Sequence, residues 1–268
     1  MLNYSGGDRV SVRVYNYIPE LLNLDQISYT KYLEELTERL SANEPREWMI
    51  RASINNATKP FAEDPDRDRA FQTLLDFDLK GMSQETTAHV VQLLPCAVDE
   101  VSVHILPAIE SKGGGCCYGP GKLLLGIRCD ELAPLRLKRN IAHEYSHTFR
   151  FFQKPYYDYN GFSPGTPKSM RDYLAFEGLA MVLGDTLYPH PAFVPFAVSE
   201  ESERAFWEKI DIAAVGDEAY MKYMTLRAYE ISSRIVRSYL AVQGCSIIEA
   251  HNATDEELYW KSGYPFIR

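Results

Sequence analysis

Ile141-Ala142-His143-Glu144-Tyr145-Ser146-His147 sits inside a helical stretch, and its reading decides how the rest of the chain is organised. His143 and His147 are four residues apart, about 400° of helix, so their imidazoles project from one face a turn apart. A tetrahedral zinc ion with Zn–N bonds of roughly 2.0–2.1 Å needs its ligand nitrogens about 3.3 Å apart, which this stacking permits. Glu144 stands about 100° round the helix. It is poorly placed as a third ligand and well placed as a general base, the division of labour in HExxH. With six His among 268 residues, composition alone yields that pattern in roughly one such chain in a hundred. The alternative is a pair of surface histidines on an ordinary helix. Ile141, Ala142, Tyr145, Phe149 and Phe152 weigh against it, because histidines inside an apolar helix need partners that a metal supplies.

The extended pattern HxxGxxH is absent: Arg150 and Gln153 stand where it requires Gly and His. Glu177, 30 residues after His147, is the candidate third ligand. It lies in Leu174-Ala175-Phe176-Glu177-Gly178-Leu179-Ala180-Met181-Val182-Leu183, where a lone carboxylate is costly to bury unless paired or bound to a metal. The other reading leaves it at the solvent edge of its helix. Gly178 predicts a close approach of this helix to the motif helix.

Outward from these segments, 134–153 and 171–187 read as helices, Ser199 caps a third, and 218–242 reads as a fourth. Thr254-Asp255-Glu256-Glu257 has the spacing of a capping box before a last short helix. Upstream, Glu100-Val101-Ser102-Val103-His104-Ile105-Leu106 alternates as a strand, and Lys122-Leu123-Leu124-Leu125-Gly126-Ile127 reads as another. Between them Gly113-Gly114-Gly115 and Gly119-Pro120-Gly121 read as a glycine-dense turn. It is no phosphate-binding loop, since Cys116 and Leu123 replace the first Gly and the Ser/Thr around Gly121-Lys122. The first ninety residues read as mostly helical. Ile27, Tyr32, Leu33, Leu36 and Leu40 pattern one helix over 25–43, and 48–54 follows. A further helix starts at Asp64-Pro65 and stops at Gly81, and another is capped by Ser83 and runs to 94. The expected fold is α+β, mainly α, with a small sheet preceding the HExxH helix. Residues 1–95 form an N-terminal helical region packed on 96–268, because no long Pro/Gly/Ser linker separates them.

The net charge of −9, without any Lys/Arg-rich face, argues against a nucleic-acid partner. No apolar run approaches the roughly 20 residues of a membrane span, and the N-terminus lacks the basic start and apolar stretch of a signal peptide. The expected location is cytoplasmic. Five cysteines without a CxxC suggest reduced thiols, with Cys116-Cys117 filling the turn.

The pair Ala142-His143-Glu144-Tyr145-Ser146-His147 and Glu177-Gly178-Leu179-Ala180 resembles a family of predicted bacterial zinc-dependent proteases of gluzincin type, which read AHEYxH and then EGLA about thirty residues on. The resemblance covers about 101–264. It includes Ala228-Tyr229-Glu230-Ile231 with Ile235-Val236-Arg237-Ser238-Tyr239-Leu240, and the ending from Thr254 to Tyr264. It implies a zincin-like catalytic core, His143, His147 and Glu177 as Zn2+ ligands, and Glu144 as base. The acid that often holds the first histidine in gluzincins is replaced by Met181, leaving Asp185 as a substitute on the same face.

Metal-assisted hydrolysis of a peptide or protein substrate is the expected chemistry, with Glu144 passing the proton of the attacking water to the leaving amine. Tyr229 is the first candidate for stabilising the oxyanion and His190 the second. A substrate strand would add to an edge strand at 123–127, unless that strand is buried core. Rival readings are a zinc hydrolase acting on a non-peptide amide, a catalytically silent zincin-like module, and a structural zinc site completed by Cys116 or Cys129.

Overall fold

Four strands, β1 (Ser11–Asn16), β2 (Glu100–Ala108), β3 (Gly114–Gly119) and β4 (Lys122–Arg128), form one mixed sheet in the order β1-β2-β4-β3. β1 and β4 run parallel to β2, and β3 runs antiparallel to β4. The computed structural model describes residues 10–42, 44, 47–58, 67–108, 114–153, 169–191 and 198–267. The Asp64-Pro65 helix start, Gly113 and the side chain of Phe152 lie outside the described residues. The chain is α+β and mainly helical.

Two sheet elements differ from the sequence expectation. β1 falls within the stretch expected to be helical and pairs with β2 from Ser11↔Glu100 to Asn16↔Ile105, so the sheet spans the expected 95/96 boundary. The glycine-dense segment is strand β3 rather than a turn; the turn itself is only Pro120-Gly121, with Gly121 at φ 71°. A Cβ there would overlap the carbonyl oxygen of Glu100, and Pro then Gly suits a type II turn. β4 is consequently flanked by β2 and β3 and is a buried inner strand. β3 is the edge strand, and of the two readings left open for 123–127, edge strand or buried core, the second is the one observed. Inner strands covered on both faces carry continuous apolar runs, as β4 does.

Helices cover both faces. On one side lie α5 (Leu79–Leu93) and α6 (Ala133–Gln153), tied together by Tyr145, whose hydroxyl donates to the Leu94 carbonyl at 2.9 Å. On the other lie α2 (Gln26–Ser41), α3 (Glu47–Ser53) and a π-helical turn, Ile54–Thr58. Strand alternation sorts β3 between the two layers. Cys117 meets Thr148 of α6 at 3.3 Å, and Cys116 meets Ser53 of α3 at 3.3 Å. In α2 the inward side chains are Tyr29, Leu33 and Leu36, while Ile27 is exposed. α1 (Ile18–Leu22) and α4 (Arg67–Leu75) complete this half. α4 ends well before Gly81, and α5 is capped by Asp78. Ser83 lies inside α5 with its hydroxyl donating to the Leu79 carbonyl.

α7 (Met170–Leu187) packs between α6 and α10 (Leu226–Gln243). Gly178 serves the second contact: a Cβ there would overlap the Ser232 carbonyl oxygen of α10, not the motif helix. The close approach to α6 comes at Gly184, where a Cβ would stand 3.1 Å from the Arg139 carbonyl oxygen. Ser199 caps α8 (Glu200–Trp207) as expected. The helix expected over 218–242 is two helices, α9 (Gly216–Tyr223) and α10, broken at Met224-Thr225. α11 (Ile247–Ala250) follows, and Thr254 and Glu257 form the expected capping box of α12 (Asp255–Trp260). No described helix is long and apolar enough to cross a membrane.

Candidate metal centre

His143 and His147 leave α6 toward α7, where Glu177 meets them. His143 Nε2 and His147 Nε2 are 3.2 Å apart, and Glu177 Oε2 lies 3.3 and 3.5 Å from them. Glu177 is therefore buried at the two histidines rather than at the solvent edge of its helix. The ring of Phe176 stacks on His147 at 4.0 Å and 15°, which fixes the imidazole plane. His147 Nδ1 and Glu177 Oε2 are buried without a hydrogen-bond partner among the described residues. Such atoms cost stability unless something satisfies them.

Glu144 is also buried, and its carboxylate accepts a hydrogen bond from the Cys117 backbone N–H of β3. Gly115 makes room for it, since a Cβ there would come 2.9 Å from Glu144 Oε1. Thr148, one residue past His147, locks α6 to the hairpin by accepting from the Gly121 N–H at 3.2 Å. The edge strand is thus held beside the base.

The charges are strongly coupled. Burial raises the Glu144 carboxyl, and the two histidines only partly oppose it. Burial also pushes Glu177 up, but the histidines outweigh it and hold Glu177 well below the usual carboxylate range. Burial pushes His143 down, and the adjacent Glu177 carboxylate together with the charge of Glu144 leaves it raised. Two buried carboxylates beside two imidazoles make a site that favours a cation.

A cavity of about 80 Å³ opens over these groups, lined also by Trp48 and Met49 of α3, Gly115 to Cys117 of β3, Tyr173, Tyr220 and Tyr229. The Tyr229 and Tyr220 hydroxyls are 2.8 Å apart. Burial first, and then the charge of Glu177, raises both phenols above the ordinary tyrosine value. Tyr220 is the functional candidate that sequence reading missed. Nine residues of continuous helix turn about 900°, placing 220 and 229 on opposite faces. The break at Met224-Thr225 brings them together.

Other expectations land elsewhere. Asp185 pairs with Arg139 and with Arg237, so it does not hold His143. His190 is exposed and does not line the cavity. Cys129 Sγ contacts the Ala108 carbonyl at 3.9 Å, away from the cavity lining, and Cys116 lines the wall without joining the donor cluster.

Comparison with family models, with curated proteins and with solved structures finds no match to this chain.

Proposed function

We propose that the chain is a zinc-dependent hydrolase, a metallopeptidase with a zincin-like core, similar to the predicted bacterial zinc-dependent proteases its motif pair resembles. One observation carries this reading: three donor atoms form a triangle with sides of 3.2, 3.3 and 3.5 Å. Ligand atoms about 2.05 Å from a tetrahedral zinc ion stand about 3.3 Å apart. The two imidazoles and the carboxylate also suit zinc chemically. His143, His147 and Glu177 would hold the ion, and it would satisfy the orphaned Glu177 Oε2. When bound, the metal supplies Lewis acidity toward a carbonyl and lowers the pKa of a water to about 7.

The remaining chemistry belongs to the chain. Glu144, held by the Cys117 N–H and with a carboxylate oxygen within 4.8 Å of both imidazoles, accepts the proton of the attacking water. As the C–N bond breaks, it returns that proton to the leaving amine. The raised carboxyl pKa of Glu144 suits a group that must both take and give a proton near neutrality. Edge strand β3 borders the cavity, and its outer side, paired with no other described strand, offers main-chain hydrogen bonds to an extended peptide, which favours peptide over small-amide substrates. Trp48, Met49 and Phe176 supply apolar wall for a substrate side chain.

Metal content measured by mass spectrometry on untagged protein tests the reading. About one zinc per chain is expected in the wild type and in Glu144→Ala, and little in His147→Ala. Absence of zinc from wild type incubated with the metal rejects it. A peptide-library screen of the zinc-loaded protein, silent in Glu144→Ala, tests the peptidase assignment.

A further inference from the structure

We propose that Tyr220 and Tyr229 act as one hydrogen-bond donor unit that stabilises the oxyanion developing on the scissile carbonyl, a role resting on the hydrolase reading above. Their hydroxyls lie 2.8 Å apart, so one proton is shared between the two oxygens. Two phenols carry two protons. The second has no acceptor among the described residues, and both side chains line the cavity that contains His143, His147 and Glu177. A single donor is left in the cavity that also holds the two histidines and Glu177.

The geometry is fixed from two directions. Tyr220 comes from α9 and packs against Tyr173 of α7, ring centroids 4.8 Å apart. Tyr229 comes from the first turn of α10, and α7 and α10 are locked at the Gly178–Ser232 approach. The acceptor hydroxyl of the pair is polarised by the bond it receives, which strengthens the bond it donates. Both hydroxyls sit in a buried setting, where an oriented donor is worth more than in water. Neither tyrosine is in the ligand triangle, and their hydroxyls can be removed without touching it.

The test uses zinc-loaded wild type, Tyr220→Phe, Tyr229→Phe and the double variant, each with zinc content measured. Two probes are titrated calorimetrically. One is a phosphinic Phe-Ala dipeptide, whose tetrahedral P–O⁻ replaces the scissile amide; the other is acetohydroxamate, which reports the metal alone. The expected result is phosphinate affinity lowered about 100-fold in each single variant, the scale of losing one oxyanion donor. The double variant should lose no more than threefold beyond the worse single, because the pair is one unit. Zinc content and acetohydroxamate affinity should stay within twofold of wild type.

Several results would overturn the assignment. They are phosphinate binding unchanged in the double variant, losses that simply add, acetohydroxamate affinity falling in step, or wild type binding the phosphinate no more tightly than acetohydroxamate. Each of these leaves the metal site standing. A wild type that takes up no zinc rejects the hydrolase reading itself and the proposal with it, and zinc content separates the two failures.

Discussion

Helix α6 carries two buried polar clusters on different sides, and they are built on opposite principles. Toward α7, His143, His147 and Glu177 converge, and His147 Nδ1 and Glu177 Oε2 are left without a hydrogen-bond partner among the described residues. Toward α11 and α12, Ser146 and Arg150 meet His251 and Asp255 with nearly every polar atom paired. His251 Nδ1 donates to the Ile247 carbonyl at 2.7 Å, which leaves Nε2 to accept from the Ser146 hydroxyl at 2.9 Å. Arg150 donates to the carbonyls of His251 and Ala253 at 2.9 and 2.8 Å and pairs with Asp255; only its Nε lacks a partner. A closed network of this kind specifies how elements pack, while open, converging acceptors need something from outside. The Ser–His pair therefore reads as architecture although it has the composition of a nucleophilic site: both residues are fully buried.

Breaking each side separately should give different signatures. His147→Ala should produce the largest effect, cutting zinc affinity by more than 100-fold in competition with a chelator. A wild-type zinc affinity in the variant would break the distinction.

Arg150→Met should do the reverse. It removes the cation paired with the buried Asp255 carboxylate and should cost about 3–5 kcal/mol in chemical denaturation. The protein that stays folded should still take up one zinc. Asp255→Asn in the same chain should recover part of the loss, because the uncompensated charge is then gone.

Acid sharpens the contrast in metal-free protein. Burial holds His251 down at about 3, the Ile247 carbonyl only partly opposing, and burial likewise lowers His104 to about 4. Both lie below the ordinary histidine value near 6.5, so below that pH the unfolded chain binds protons that the folded chain refuses. Stability is then complete above about pH 6.5 and falls on acidification, by up to about 1.4 kcal/mol per pH unit per histidine. The window runs down to about 4 for His104 and about 3 for His251. His251→Gln should flatten the dependence, read from urea curves at pH 7, 6 and 5; an unchanged slope would contradict a neutral buried His251.

The smallest effect is expected from Ser146→Ala. Losing the donor to His251 Nε2 should cost about 1–3 kcal/mol, with zinc content unaltered. A loss of zinc here would mean that the two sides of α6 are coupled.

The His143–His147–Glu177 side of α6 was legible because its information is local. An i, i+4 histidine pair with an intervening glutamate fixes relative directions through helix geometry alone, and Glu177 stood out as a carboxylate in an apolar helix. Cap positions at Ser199 and Thr254 were equally readable, since each cap involves only three or four neighbouring residues. Ser83 misled because a hydroxyl inside a helix can bond backward to its own turn, and Asp78 took the cap.

Other features were set by contacts distant in sequence. Strand β1 is short, with only Val14 of its six residues buried, and its pairing partner lies about ninety residues away. β3 reads as a glycine turn because its strand character comes from the ladder to β4, not from its own residues. The Tyr220–Tyr229 pair depends on a helix break that no glycine or proline announces.

The sequence by itself determined the composition of the candidate centre and its place on α6 and α7, because helical periodicity converts spacing into direction. Tertiary structure decided which strand forms the edge beside it, which tyrosines face it, and which side of α6 is left open. Those outcomes depend on burial and pairing between segments that only the folded chain brings together.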